Sequence, residues 1–528
     1  MVKDRLGSRL GPGESTNLLN VWRESGEVRV RPGMTAFRNR ITTLPVQNLF
    51  TAELADGTKS VLRLDEDNPY FDNGTAWASI SPGSPFWTGN STTPFGIAQV
   101  LNEVIVSNGV AADGVKRWTG SGNFATVPNA GILIDHDAFR YIASFASRVI
   151  GAYTSGTNGA VTVVGSAIGS TTDWTIDNGA FAASRVEHPS HITGLTSDDN
   201  ILLVWKERAI IAGVETGDSD TPINWTLLKT EGIGATAPRS ISSWGGFSTA
   251  LSYEGFFLLQ NQSPQFIDTD IKRDFFSRLN PTALRQVHSL VMPEYGKIIW
   301  FVPEGADPYP RHAWVYDLLF QSWDRWELGV PITSAVRTFA GTGAVIDAYG
   351  GEGGIADITG NNAIIDTGVI ANVYIDAVGT EASSVIYLLG DSIGNTYTLD
   401  FAATNDAAAP FVMTWESPDV RWEGLADPET GAVIGPRQLV TLDCVGIEYN
   451  YSGAATTLVC SVSVDGGLTW ATLESKSISS TSAMYTRLDF WGRATGHRVR
   501  VRLQIDNVVG QPRFRDMTLY GYPAGEIR

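Results

Sequence analysis

The sequence predicts an all-β protein: a β-propeller of about six to eight blades followed by a C-terminal antiparallel β-sandwich. Three observations predict it. Short runs rich in Val, Ile, Leu, Phe, Tyr and Trp recur along the 528 residues, cut by Gly, Asn, Asp and Ser clusters. Turn signals return at uneven intervals of roughly 40 to 50 residues, which is what a four-stranded blade needs. After about residue 405 the runs read as sandwich strands, several alternating with period two.

Taken in order, residues 1–50 read as an N-terminal arm with the first propeller strands, 51–405 as the propeller and 406–528 as the sandwich. The opening MVKDRLGSRLGPGESTN has no apolar core of a secretory leader, and no apolar run approaches the length of a membrane span. Hairpins are predicted at ILLVWKERAIIAGV (201–214), STALSYEGFFLLQ (248–260) and SLVMPEYGKIIWFV (289–302). Further turns are placed near Gly57, Gly109, Ala146, Thr342 and Ile393. One helix interrupts the strands: IKRDFFSRL (271–279) puts Ile271, Phe275 and Leu279 on one face. Asp268 or Thr269 is expected to cap it, and Asn280–Pro281 to end it. HAWVYDLLFQSWDRWEL (312–328) fits the outer two strands of a blade. Its Trp314, Trp323 and Trp326 either stack on a sugar or fill the gaps between blades, and gap-filling is the commoner use of buried indoles.

Residues 338–420 contain no Lys or Arg and eleven acids. Within them, VID, IAD, IID and YID place Asp347, Asp357, Asp366 and Asp376 at spacings of 10, 9 and 10, a small strand-plus-turn repeat. One Asp per turn is thin for a calcium site, so turn-capping and an acidic surface strip are the alternatives. The acidity is unevenly shared. The sandwich carries 11 basic against 14 acidic residues, and the first 405 residues carry 27 against 42. With a net charge of −18, the chain shows no basic footprint for the outside of a duplex. Its two cysteines, Cys444 and Cys460, exclude a disulfide-dense scaffold and read as buried free thiols.

Motifs for chemistry are weak. SVDGGLTW (463–470) is a complete S-x-D-x-G-x-T-W box of Ser463, Asp465, Gly467, Thr469 and Trp470. Such a box builds a tight hairpin: the Asp bonds turn amides, the glycines accept positive φ, and the Trp packs below. The box occurs in sialidases, but the arginine cluster and activated Tyr–Glu pair of that chemistry cannot be assembled here. GDSIG (390–394) matches G-x-S-x-G around Ser392, yet a strand follows where a nucleophile elbow needs a helix. EHPSH (187–191) offers two His without a third metal ligand. The reading is a non-enzyme with no cofactor and no metal.

Several phrases then occur in a telling order. NLLNVWRESGEVRVRPGM is followed by FAASRVEHPSHITGLTSDDNILLVWKERAI, then LSYEGFFLLQNQSPQFIDTDIKRDFF, HSLVMPEYGKIIWFV and HAWVYDLLFQSWDRWEL. This order, over residues 15 to about 400, resembles the tail nozzle or packaged-DNA stabilisation (tail hub) proteins of short-tailed bacteriophages. The resemblance implies a virion protein made in the host cytoplasm. It implies a homo-hexamer below the portal and head-to-tail adaptor that extends the DNA channel and retains the packaged genome. It also implies docking of tail fibres or spikes and of a distal plug or needle, and passage of double-stranded DNA without sequence-specific binding. Carboxylates on such a wall would repel phosphates within about 8 Å, so Asp347, Asp357, Asp366 and Asp376 become channel-lining candidates. A receptor-binding fibre or spike component and a glycan-active propeller hydrolase are the alternatives.

Overall fold

The computed structural model describes residues 15–526 except 25–26, 89, 91–94, 198–199, 231, 261, 340–384, 408, 422–437 and 482–484. It is an all-β protein with a seven-bladed propeller and a sandwich. Blades 1 to 5 are four-stranded antiparallel sheets in simple chain order. Their first strands are Val46–Glu53, Gly96–Val100, Phe139–Phe145, Ile192–Ser197 and Ser242–Trp244. Blade 6 begins with His288–Met292 and blade 7 with Ile332–Phe339. Each first strand packs beside the first strand of the next blade, and Ile332–Phe339 packs beside Val46–Glu53, so the ring closes.

Blade packing explains the apolar runs. A central blade strand is covered on both faces by neighbouring blades, so both faces must be apolar. In blade 4, Val204 and Ile211 join a core with Phe145 and Ile150 of blade 3. The alternate residues Trp205 and Ile210 join a core with Ala250 and Phe257 of blade 5. All four blade-4 side chains are fully buried. The hairpins expected at 201–214, 248–260 and 289–302 form as antiparallel pairs. At Ala146–Ser147 the turn takes φ of 50° and 54°, the left-handed pair that joins two twisted strands tightly.

Trp314, Trp323 and Trp326 are buried, and each indole N–H has an acceptor: Glu304, the Ile267 carbonyl and the Val21 carbonyl. Trp323 lies against Phe256 of blade 5 and Trp300 of blade 6, so these residues fill gaps between blades and form no sugar platform. Among the described residues, the one α-helix spans Lys272–Arg278. Its cap differs from expectation: Ile271 holds the N-cap position with no side-chain cap bond. The Asp268 carboxylate accepts the Phe256 amide at 3.2 Å, while its backbone carbonyl accepts the Ile271 amide at 2.9 Å. Asn280 does follow the helix, and its Oδ1 caps the next turn by accepting the Thr282 N–H at 3.0 Å.

The sandwich faces two sheets across one core. One sheet is Met413–Glu416, Arg498–Ile505, Thr456–Ser463 and Ala471–Ile478. The other contains Gly510–Glu526, Gln438–Gly453 and Thr486–Gly496. Period-two alternation is clear in Arg498–Ile505, where Val499, Val501, Leu503 and Ile505 point to the core. Cys444 and Cys460 are free and buried, and burial pushes the Cys460 thiol up to about 12.

The N-terminal arm joins the two parts. Asn17–Leu19 pairs in parallel with blade 6 through Leu19 and Arg325, and antiparallel with Met413–Glu416 of the sandwich. Blade 6 and one sandwich sheet therefore form a continuous sheet. The hairpin of Val21–Glu24 and Glu27–Val30 adds to the other sandwich sheet beside Gly510–Glu526. Gly33–Ala36 then supplies the fourth strand of blade 7 by pairing with Thr396–Asp400.

Candidate functional site

Two places concentrate polar side chains from distant parts of the chain: the propeller axis and the clasp where arm, propeller and sandwich meet. At the axis, Arg239 sits in the 3-10 turn Pro238–Ser240 that leads into blade 5. Its Nη2 donates to the Gln47 carbonyl of blade 1 at 3.0 Å. Blades 1 and 5 are not neighbours in the ring, so this bond crosses the axial opening. Gln47 is buried and donates its Nε2 to Glu66 at 3.1 Å. Burial lowers Arg239 to about 10, which leaves it charged at neutral pH. His288 of blade 6 stacks on Phe301 at 4.8 Å and donates its Nδ1–H to the Gln286 carbonyl at 2.9 Å. Burial first, and the Arg239 charge second, hold His288 neutral with a pKa of about 3. An opening spanned by a side chain admits no duplex.

The clasp is built on Arg31, which begins the Arg-Pro-Gly phrase. The guanidinium is fully buried and uses all five donors. Nε donates to Asn20 Oδ1 at 2.9 Å. Nη1 donates to the Pro32 carbonyl at 2.8 Å and to Asp406 Oδ1 at 2.9 Å. Nη2 donates to the Glu327 carbonyl of blade 6 at 2.8 Å and to Asp406 Oδ2. The ring of Phe411 covers the guanidinium at 4.0 Å. Asn20 completes the knot: its Oδ1 also accepts the Glu327 N–H, and its Nδ2 donates to the Val412 carbonyl at 2.7 Å. Gly33 must lack a side chain, because a Cβ there would lie 2.4 Å from the Asn405 carbonyl oxygen. The Pro between them presets φ for the turn from the buried ion pair into the closing strand.

This arrangement does mechanical rather than chemical work. A buried bidentate pair with every lone donor satisfied fixes geometry. It offers no open coordination position and no nucleophile with a base. Related pairs flank it: Lys297 with Asp317 below the Trp22 ring, and Arg502 with Glu416 at 2.7 Å. Among the described residues, no group of three His, Cys, Asp or Glu is placed to hold a metal.

The acidic residues of the 338–420 stretch divide. Asp347, Asp357, Asp366 and Asp376 lie outside the described residues. In sequence they fall between Phe339 and Val385, which end and begin the first two strands of blade 7. Of the described acids, Asp391, Asp406, Glu416 and Asp419 are buried and bonded, and they belong to no surface strip. Asp391 caps a turn by accepting the amides of Ile393 and Asn395. That turn contains Ser392 and joins two strands, so GDSIG is a hairpin and no nucleophile elbow.

The box hairpin lies in the sandwich, after the strand Thr456–Ser463. Ser463 Oγ donates to Asp465 Oδ1 at 2.7 Å and accepts the Gly467 amide at 2.8 Å. Asp465 accepts the Thr469 amide at 2.9 Å, and Gly466 and Gly467 take φ of 80° and 94°. Trp470 lies under Arg502 at 3.8 Å. Hydrogen bonds from Ser463 and Thr469 hold the Asp465 carboxyl well below the usual carboxylate range. His188 bonds Ser190 and His136 bonds Thr154, so neither His cluster converges on a site.

Sequence reasoning did not single out Arg31, Asp406 or Arg239. The Arg-Pro-Gly phrase was the only signal for the first. Asp406 was hidden among eleven acids and Arg239 in a turn.

No protein-family model and no curated protein matches the chain. Among solved structures, the AfRom2 CNH domain is similar over 70% of this chain and 100% of that chain, at 10% identity and a TM-score of 0.38. An exo-beta-1,3-galactanase from Phanerochaete chrysosporium, solved with galactose, is similar over 81% of this chain and 95% of that chain, at 11% identity and a TM-score of 0.25.

Proposed function

We propose that this chain is a structural virion protein, the tail nozzle or hub of a short-tailed bacteriophage. In this reading six copies form a ring below portal and adaptor, extend the DNA channel, retain the packaged genome and pass it at ejection. The observation that carries the reading is the clasp. A conduit under pressure from packaged DNA needs its modules locked together, and Arg31, Asn20 and Asp406 lock arm, propeller and sandwich around one buried ion pair. The crossing of the propeller axis by Arg239 fits the same reading if DNA travels between copies of the chain and not through each propeller. The segment of Asp347, Asp357, Asp366 and Asp376 would then face that shared lumen, where carboxylates repel phosphates.

The test is copy number in purified virions, by quantitative mass spectrometry against the major capsid protein. About six copies per particle supports a cyclic tail ring. A larger multiple of three moves the protein to fibres or spikes. Absence from virions removes the structural reading.

A further inference from the structure

At the junction of blades 4 and 5 the sheets part and leave an open cleft of about 420 Å³. The cause is local. The first strand of blade 5 is only Ser242–Trp244, against eight residues in blade 1. It ends in the turn Gly245–Gly246, where an added Cβ would meet nothing within 4 Å. At the same end of the ring other junctions are bridged. Gln99 of blade 2 accepts the Glu53 amide of blade 1 at 2.8 Å, and Arg337 of blade 7 bonds Glu294 of blade 6 at 2.9 Å.

The lining has a definite chemistry. Leu203, Leu228 and Leu259 form an aliphatic floor. Ser243, Ser248 and Gln262 bring hydroxyl and amide groups to the wall. Trp244 stands half-buried in the wall, meeting the edge of Phe247 at 5.5 Å. By contrast, the half-buried Trp225 and Trp470 have guanidinium groups over their rings. Among the described residues, no charged side chain lines the cleft.

We propose that this cleft binds a saccharide of one or two rings. The apolar face of a sugar ring suits an indole and an aliphatic floor. Its hydroxyls can exchange hydrogen bonds with Ser243, Ser248 and Gln262. The Ser243–Ser248 bond of 2.8 Å leaves acceptor capacity on both oxygens. An alkyl chain would cover these polar groups without pairing them, which is costly. The proposal stands apart from the virion reading.

The experiment is ligand-observed NMR and calorimetry on the full chain with maltose, cellobiose, lactose and sodium decanoate. The expected result is saturable binding of at least one disaccharide. Trp244→Ala should weaken it by about tenfold or more, the loss of roughly one aromatic stacking contact. Ser248→Leu, which fills the cleft, should abolish it, and Trp225→Ala on the outer part of blade 4 should leave it unchanged. Unaltered thermal unfolding of Trp244→Ala would show that the fold is intact. Failure of all three disaccharides to bind overturns the proposal, as does binding that Trp244→Ala and Ser248→Leu leave intact. Binding of decanoate alone makes the cleft an apolar-ligand site instead.

Discussion

Blades 1 to 5 and blades 6 and 7 reach closure by different routes. Each of the first five is complete in one stretch of chain, with strands paired to their sequence neighbours. Blade 6 is extended by Asn17–Leu19, and blade 7 takes its fourth strand from Gly33–Ala36. The same arm places the hairpin of residues 21–30 in the sandwich. A repeated module can thus be assembled from local contacts, but the joint between two architectures is made by residues far apart in sequence. Arg31 and Asp406 are 375 positions apart. Stability near the joint should depend on the whole chain, and stability within blades 1 to 5 on neighbours.

The largest expected effect breaks the joint. Arg31→Met leaves Asp406 buried without its cation and should cost about 3–5 kcal/mol. Hydrogen exchange should rise both in blade 7 and in the sandwich strands beside the arm. Adding Asp406→Leu should restore part of the loss, since an apolar pair avoids the orphaned charge. A lesion confined to one blade gives the counterpart. Ile211→Ala in blade 4 should cost about 3 kcal/mol by leaving a cavity. Its hydrogen exchange should rise in blades 3 and 4 and stay unchanged in the sandwich. Equal loss of protection in both regions would show that the two are one cooperative unit and that the contrast drawn above is wrong.

Acid titration sharpens the comparison at blades 6 and 7. His288 is neutral in the folded state, with a pKa of about 3 against an ordinary 6.5. Between these values the unfolded chain binds the extra proton, so stability falls as pH drops, by about 1 kcal/mol per pH unit from this residue. His288→Leu should flatten that slope in urea unfolding measured from pH 7 to pH 5. The smallest effect is at the bridge between blades 6 and 7. The Arg337 hydrogen bond, aided by one from the Tyr387 hydroxyl, holds Glu294 at about 2. Its contribution is present above the ordinary value of 4.5 and is lost as pH falls through about 2. Both partners of the ion pair are about a third exposed, so screening leaves roughly 1 kcal/mol. Glu294→Gln should lower stability by that amount at pH 7 and by nothing well below pH 2.

Much of the blade interior was legible beforehand because its information is local. The runs LLVW and IIAG are apolar on both faces because both faces meet other blades, and the turn at Ala146–Ser147 is written in the residues it joins. The box hairpin is likewise self-contained, with Ser463, Asp465 and Thr469 bonding one another within seven positions. The candidate sites were less legible. Trp244 resembles any other strand-end indole until the short first strand of blade 5 opens the wall beside it.

By itself, then, the sequence determined the all-strand class, most hairpins and the helix near residues 271–279. Alternation, turn chemistry and propensity act over a few residues and are visible there. Only the tertiary structure decided that the blades number seven, that the arm serves both architectures, that Arg239 crosses the axis and that Asp406 is buried. Backbone hydrogen bonds carry no record of which distant strand will accept them. A partner 375 residues away is selected by the shape and charge of the finished core, which no short window of residues contains.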